Sequence, residues 1–76
     1  MNRLRNLAQL QPGESAAVVA LTGSNSQRHR LLDLGFVPGC QVTALYAAPW
    51  GDPVAYQVCG AVIALRRREA ETVSIS

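Results

Sequence analysis

The stretch that most limits what this chain can become is Ser24 to Gly39, which reads Ser-Asn-Ser-Gln-Arg-His-Arg-Leu-Leu-Asp-Leu-Gly-Phe-Val-Pro-Gly. It holds the one clear helix signal. Ser24, Asn25 and Ser26 are all good N-caps, because a short side-chain oxygen accepts from the free N–H groups of a first turn. Leu31 and Leu34 share a face with Leu32 beside them, a short apolar stripe. Gly35 stands where a helix ends in the left-handed conformation, which costs glycine nothing, and Phe36 is placed to fold back on the last turn. Pro38-Gly39 then reads as a turn. A helix of about two turns is marginal alone because its nucleus is costly. It must plug or cover something else.

The rest of the chain reads as short strands. Leu4, Leu7 and Leu10, with Arg3, Arg5 and Asn6 between them, form either a helical turn or a loosely packed arm. Pro12-Gly13-Glu14 is a turn signal. Ser15 to Leu21 is small and β-branched, hence a strand. Cys40 to Ala47 is a second, with Cys40, Val42 and Ala44 on one face; Leu45 breaks the alternation, which predicts a bulge or bend. Ala48 to Pro53 is a loop with two prolines. Val54 to Cys59 alternates again, Gly60 marks a tight bend, and Ala61 to Leu65 turns Ile63 and Leu65 inward. Arg66 to Glu71 is a polar turn or a single helical turn, and Thr72 to Ser76 is a last strand carrying Val73 and Ile75. About five short strands with one inserted helix predict a small, partly closed, mainly β barrel with the helix over one open end. Side chains fill so small a barrel, so function belongs on its outside.

The totals narrow the function. At 76 residues and 49% hydrophobic, the chain suits one small folded domain over 1–76. Its longest apolar run, Ala16 to Leu21, is far short of a membrane span. It opens at Met1, as a complete protein would, with no signal-peptide pattern. The expectation is therefore a cytoplasmic protein. The net charge of +2 includes seven basic residues, all Arg, at Arg3/Arg5, Arg28/Arg30 and Arg66-Arg67-Arg68. That profile is milder than a dedicated nucleic-acid binder's. The clusters are either solvated surface or a footprint for an anionic partner.

Catalytic chemistry is poorly supplied. There is one His, no Lys, and five carboxylates: Glu14, Asp33, Asp52, Glu69 and Glu71. His29 lies between Arg28 and Arg30 with no partner to make a site. No glycine-rich phosphate loop is present. The expectation is a binding module, not an enzyme. Cys40 and Cys59 lack a Cys-x-x-Cys spacing and are read as free thiols in a reducing compartment, independent of one another. If Cys40–Ala47 and Val54–Cys59 pair as neighbours, the two cysteines roughly face each other, and a metal sensor built on Cys40, Cys59 and His29 is the competing reading, short of a closed four-ligand site. No metal or cofactor is assigned. Trp50, on a Pro/Gly loop, is either a plug over the barrel mouth or a binding anchor, since Trp and Arg are enriched at hot spots.

Together these segments resemble the FeoA family of bacterial ferrous iron transport. The matching pieces are Pro12-Gly13; Arg30-Leu-Leu-Asp-Leu-Gly-Phe-Val-Pro-Gly39; Ala48-Pro-Trp-Gly-Asp-Pro-Val54; and Gly60-Ala-Val-Ile-Ala-Leu-Arg-Arg-Arg-Glu-Ala70, in order over nearly the whole chain. The resemblance implies an SH3-like barrel with an inserted helix and no enzymatic activity. It also implies a role beside a transition-metal-ion transporter, as a partner of FeoB at its cytoplasmic G-protein region and peripheral to the membrane through that partner. Cys40 and Cys59 fall outside the matched pattern. Exposure and chemistry, not the family, nominate the partner-binding residues: Arg28, Arg30, Trp50, Asp52, Arg66 and Arg67. The same SH3-like module also ends metal-dependent transcriptional repressors, but there it follows a DNA-reading helix-turn-helix that this chain lacks. The runner-up functions are a small nucleic-acid-binding barrel using the Arg clusters and a metal-responsive regulator domain.

Overall fold

A computed structural model describes residues 5–76; Arg3 and Leu4, named above in the N-terminal cluster and arm, lie outside the described residues. The described elements run β1 (Arg5–Asn6), a 3-10 turn (Leu7–Gln9), β2 (Ser15–Leu21), α1 (Asn25–Leu34), β3 (Gln41–Ala47), β4 (Val54–Val58), β5 (Ala61–Leu65), α2 (Arg67–Ala70) and β6 (Val73–Ile75).

The helix forms where the cap chemistry puts it. Ser24 Oγ accepts from the Gln27 N–H at 3.2 Å, and the Ser24 N–H donates to Gln27 Oε1 at 3.0 Å, so two free donors of the first turn are satisfied. At the other end Gly35 has φ 110°. The Gly35 N–H donates to Leu32 O and the Phe36 N–H to Leu31 O, each at 3.0 Å, closing the helix in a Schellman motif. Phe36 is thereby turned under the helix and is wholly buried beside Leu31. Leu32, grouped with the apolar stripe above, lies on the solvent side.

Gly35→Val is expected to lower the unfolding free energy by about 1–3 kcal/mol, because a β-branched residue fits the left-handed region poorly. A Cβ there meets Cys59 Cβ at 3.6 Å and Val58 Cγ1 at 3.8 Å, ordinary contact distances, so the cost comes from the backbone. Urea unfolding beside Gly35→Asn, which tolerates that region, checks this. Equal midpoints for the two variants would remove the backbone explanation.

All strand pairs are antiparallel, in the order β1-β6-β2-β3-β4-β5. That is six strands where about five are expected; the extra one is β1, held by Arg5↔Ile75 and Asn6↔Ser74 pairing with β6. The bulge falls where the alternation breaks, at Leu45, between the Ala44↔Tyr56 and Tyr46↔Ala55 pairs. A second irregularity lies at Val19 in β2. The rolled sheet is barrel-like but not laddered shut. Its edges are β1 and β5, and α2 and the 3-10 turn pack against each other in that region.

The inner faces supply Val18, Val42, Tyr56, Val58, Leu65, Val73 and Ile75. The N-terminal arm joins this core firmly instead of loosely: Leu7 is fully buried and Leu10 nearly so. The Tyr56 hydroxyl, inside the barrel, donates to Leu7 O at 3.3 Å. Burial first, then the Asp52 charge, raises the Tyr56 pKa above its ordinary 10.0, against a smaller lowering by Arg67. The folded protein therefore keeps this proton after the unfolded chain has lost it. The contribution is complete below pH 10.0 and is lost as pH rises from there through the folded-state value. Tyr56→Phe is expected to cost about 0.5–1.5 kcal/mol at neutral pH, the net worth of one hydrogen bond, because Leu7 O keeps the Leu10 N–H at 3.1 Å, and to flatten the alkaline fall in stability. Thermal melts between neutral pH and pH 11 or so read both effects.

Candidate interaction site

The loop between β3 and β4 is closed on itself: the Ala48 N–H donates to Pro53 O at 2.9 Å and the Gly51 N–H to Ala48 O at 2.8 Å. The turn lifts Trp50 away from the body, 82% exposed. Of its two readings, a plug over the barrel mouth is thereby overturned. Tyr46, near the end of β3 in the same hairpin, is 63% exposed. The Leu45 bulge explains this, since an unbroken alternation from Val42 and Ala44 would point Tyr46 inward. A shallow apolar groove of about 420 Å³ runs beside it, lined by Tyr46, Ala48, Pro49, Pro53, Val62 and Ala64.

The charged nominees converge on α2. Asp52 Oδ1 accepts the Arg67 N–H at 2.9 Å and so caps α2 from outside it, while Asp52 Oδ2 lies 3.8 Å from Arg66 Nη1. Glu69 Oε1 accepts the Arg66 N–H at 3.1 Å, and its other oxygen is paired with Arg30 from α1. Arg67 Nε lies 3.8 Å from Glu71. Arg28 donates to Asn25 within α1. Thus Arg30, Asp52, Arg66 and Arg67 belong to one connected surface around α2, with Trp50 two residues from its Asp52 arm. Arg28 stands apart from it.

Arg30, Arg66 and Arg67 each face a carboxylate, so they do not form the bare cationic track that phosphates require. Exposed pairs of this kind contribute little stability and leave the groups available for exchange with a partner's charges. Sequence reasoning missed Glu69, the residue that ties α1 to α2. Its signal is the three-residue spacing from Arg66, a carboxylate placed to accept from the residue before a helix. Tyr46 is a second such residue, and the break at Leu45 is its signal.

The thiols are not independent, which corrects the sequence reading. Cys40 Sγ lies 3.2 Å from Cys59 Sγ, and Cys59 Sγ lies 3.6 Å from Gly35 O. Cys40 is half-buried and Cys59 exposed. The hydrogen bond with Cys40, then desolvation, then the Cys40 charge, raise the Cys59 pKa above its ordinary 9.0. His29 is exposed on α1, and among the described residues no three His, Cys, Asp or Glu side chains gather as a metal-ligand set.

A rolled antiparallel sheet with an inserted helix, a side-chain-filled interior and its polar groups on the outer surface defines an SH3-like module. The chain belongs to the FeoA family, whose FeoA domain matches residues 5–76. The FeoA protein of Chlorobium tepidum is 35% identical and superposes with a TM-score of 0.87, over 93% of this chain and 68% of that one. The FeoA of Stenotrophomonas maltophilia, crystallised with zinc and described as an SH3 domain protein, is 32% identical with a TM-score of 0.83, over 95% of this chain and 89% of that one. The chain is also 35% identical over 69 residues to an Fe(2+) transport protein A/Fe(2+) transporter FeoB fusion protein of Porphyromonas gingivalis, covering 91% of this chain. It spans 8% of that fusion's length. The family is thus associated with ferrous iron transport. Among the described residues no helix is long and apolar enough to cross a membrane.

Proposed function

We propose that this chain is a non-catalytic accessory protein of ferrous iron transport that docks in the cytoplasm on the G-protein region of a FeoB-type transporter and modulates uptake. The observation that carries the partner is the likeness to a polypeptide in which a FeoA and a FeoB are joined. Joining two modules raises their effective concentration for each other, which is useful where they bind. The docking face is the Trp50 loop with the adjoining α2 surface. Trp50 supplies an apolar anchor already in the open, and Arg66, Arg67 and Arg30 ring the patch with charges that are only loosely paired. Arg28, apart from this face on α1, adds positive charge outside it. Polar rims of this kind set orientation and on-rate more than affinity.

A calorimetric titration of the purified protein with the transporter's cytoplasmic G domain, in its nucleotide-free, diphosphate and triphosphate states, tests the reading. Saturable binding in any of them supports it. No heat and no complex in all three would refute docking on that region.

A further inference from the structure

Cys40 and Cys59 lie at the open end of the β3–β4 hairpin, at the far end from Trp50, and neither takes part in the docking face. Two independent features bring them together. Cys40 is held on both sides by backbone bonds: its N–H donates to Val37 O, and its carbonyl accepts from Val18 N–H, each at 2.9 Å. Cys59 and Gly60 form the two-residue turn between the paired Val58 and Ala61, with φ 49° and 78°. Turns with both central φ values positive favour Asn, Asp or Gly. Cysteine is a poor choice for the turn itself, so its thiol is the reason to look there. That thiol meets the partner sulfur at 3.2 Å.

We propose that Cys40 and Cys59 form a reversible thiol–disulfide site whose reactant is a small-molecule disulfide of the glutathione class. Cys59 is the exposed thiol and attacks first. Its thiolate displaces one small thiolate from the reactant and is left as a mixed disulfide. The Cys40 thiolate then attacks the Cys59 sulfur, forms the internal bond and expels the second small thiolate. The protein's two thiols lose two protons to solvent and two electrons to the reactant, whose two expelled thiolates take up two protons from solvent and depart as thiols. The second step is intramolecular between sulfurs already in contact, so it outruns a second external attack. Among the described residues the pair has no third ligand, which a closed zinc site would need. The new bond closes the chain from residue 40 to residue 59 and fastens β3 to the β4–β5 turn beneath the helix terminus at Gly35.

The test incubates the reduced protein anaerobically with oxidised glutathione and follows intact mass, thiol content and thermal melting. The expected product is a monomer lighter by two hydrogens, with no retained glutathione and with residues 40 and 59 cross-linked on peptide mapping. Its melting temperature should rise on the order of 10 °C and return on treatment with dithiothreitol. Cys40→Ser and Cys59→Ser should each stop at one glutathione adduct with no such rise. Cys59→Asn, which suits the turn, serves as a second variant if Cys59→Ser does not fold. Two retained glutathiones on the wild type, a disulfide-linked dimer, or two thiols left free under these conditions would each overturn the proposal.

Discussion

Phe36→Ala is expected to lower the unfolding free energy by about 3–5 kcal/mol, the range for removing a buried aromatic ring. Phe36 has no exposed surface and is turned inward by the hydrogen bond its own N–H makes to Leu31 O. The ring fills the space between α1 and the rolled sheet, so its loss leaves a cavity that the Gly35 turn cannot close without giving up the helix terminus. A chain of 76 residues is stabilised by roughly 4–11 kcal/mol in all, at 0.05–0.15 kcal/mol per residue. The loss is therefore at least about a quarter of the total stability and can equal all of it. Leu32→Ala, one turn away at 39% exposure, should change stability by about 0.5 kcal/mol or less. Urea unfolding of the two variants side by side gives the comparison. Similar losses for both would mean that α1 is not fastened through Phe36.

Local chemistry made much of this legible. β2 and β5 lie residue for residue where the sequence pattern puts them, and α1 begins and ends on the Ser24 and Gly35 caps. These features depend on neighbours within four residues: alternation, a short oxygen before a helix, a glycine after it. The bulge at Leu45 was readable for the same reason. Features set by distant pairing were not. β1 exists because Arg5 and Asn6 meet β6, at the other end of the chain. Pairing of β3 with β4 readably sets Cys40 roughly opposite Cys59, but the sulfur contact itself depends on a left-handed cysteine, which spacing alone does not announce. Glu69 is visible as a polar residue in a polar turn, but its link to Arg30 spans 39 positions. The Pro/Gly loop makes Trp50 stand out in the sequence, but whether it lies over the barrel or away from it depends on how the loop closes on itself.

Trp50→Ala is expected to weaken docking on the transporter's G domain by about 2–4 kcal/mol, roughly 30- to 700-fold in Kd. The upper figure follows from burying most of a ring of roughly 200 Å² at about 25 cal/mol/Å². The costs of ordering both surfaces hold the realised value below it. Because Trp50 is 82% exposed in the free protein, the same change should move stability by only about 0.5 kcal/mol. That separation makes the experiment decisive: calorimetry reads the affinity and a urea melt shows that the fold is intact. Tyr46→Ala, beside the groove, should weaken docking in the same direction. Arg28→Ala, apart from the α2 surface, should act chiefly on the salt dependence of association. Asp52→Ala should behave differently again. It removes the carboxylate that accepts the Arg67 N–H, so it loosens α2 and lowers stability together with affinity. A folded Trp50→Ala protein that binds the G domain as tightly as the wild type would move the contact off this loop. The α2 surface around Arg30, Arg66 and Glu69 would then be the face to mutate.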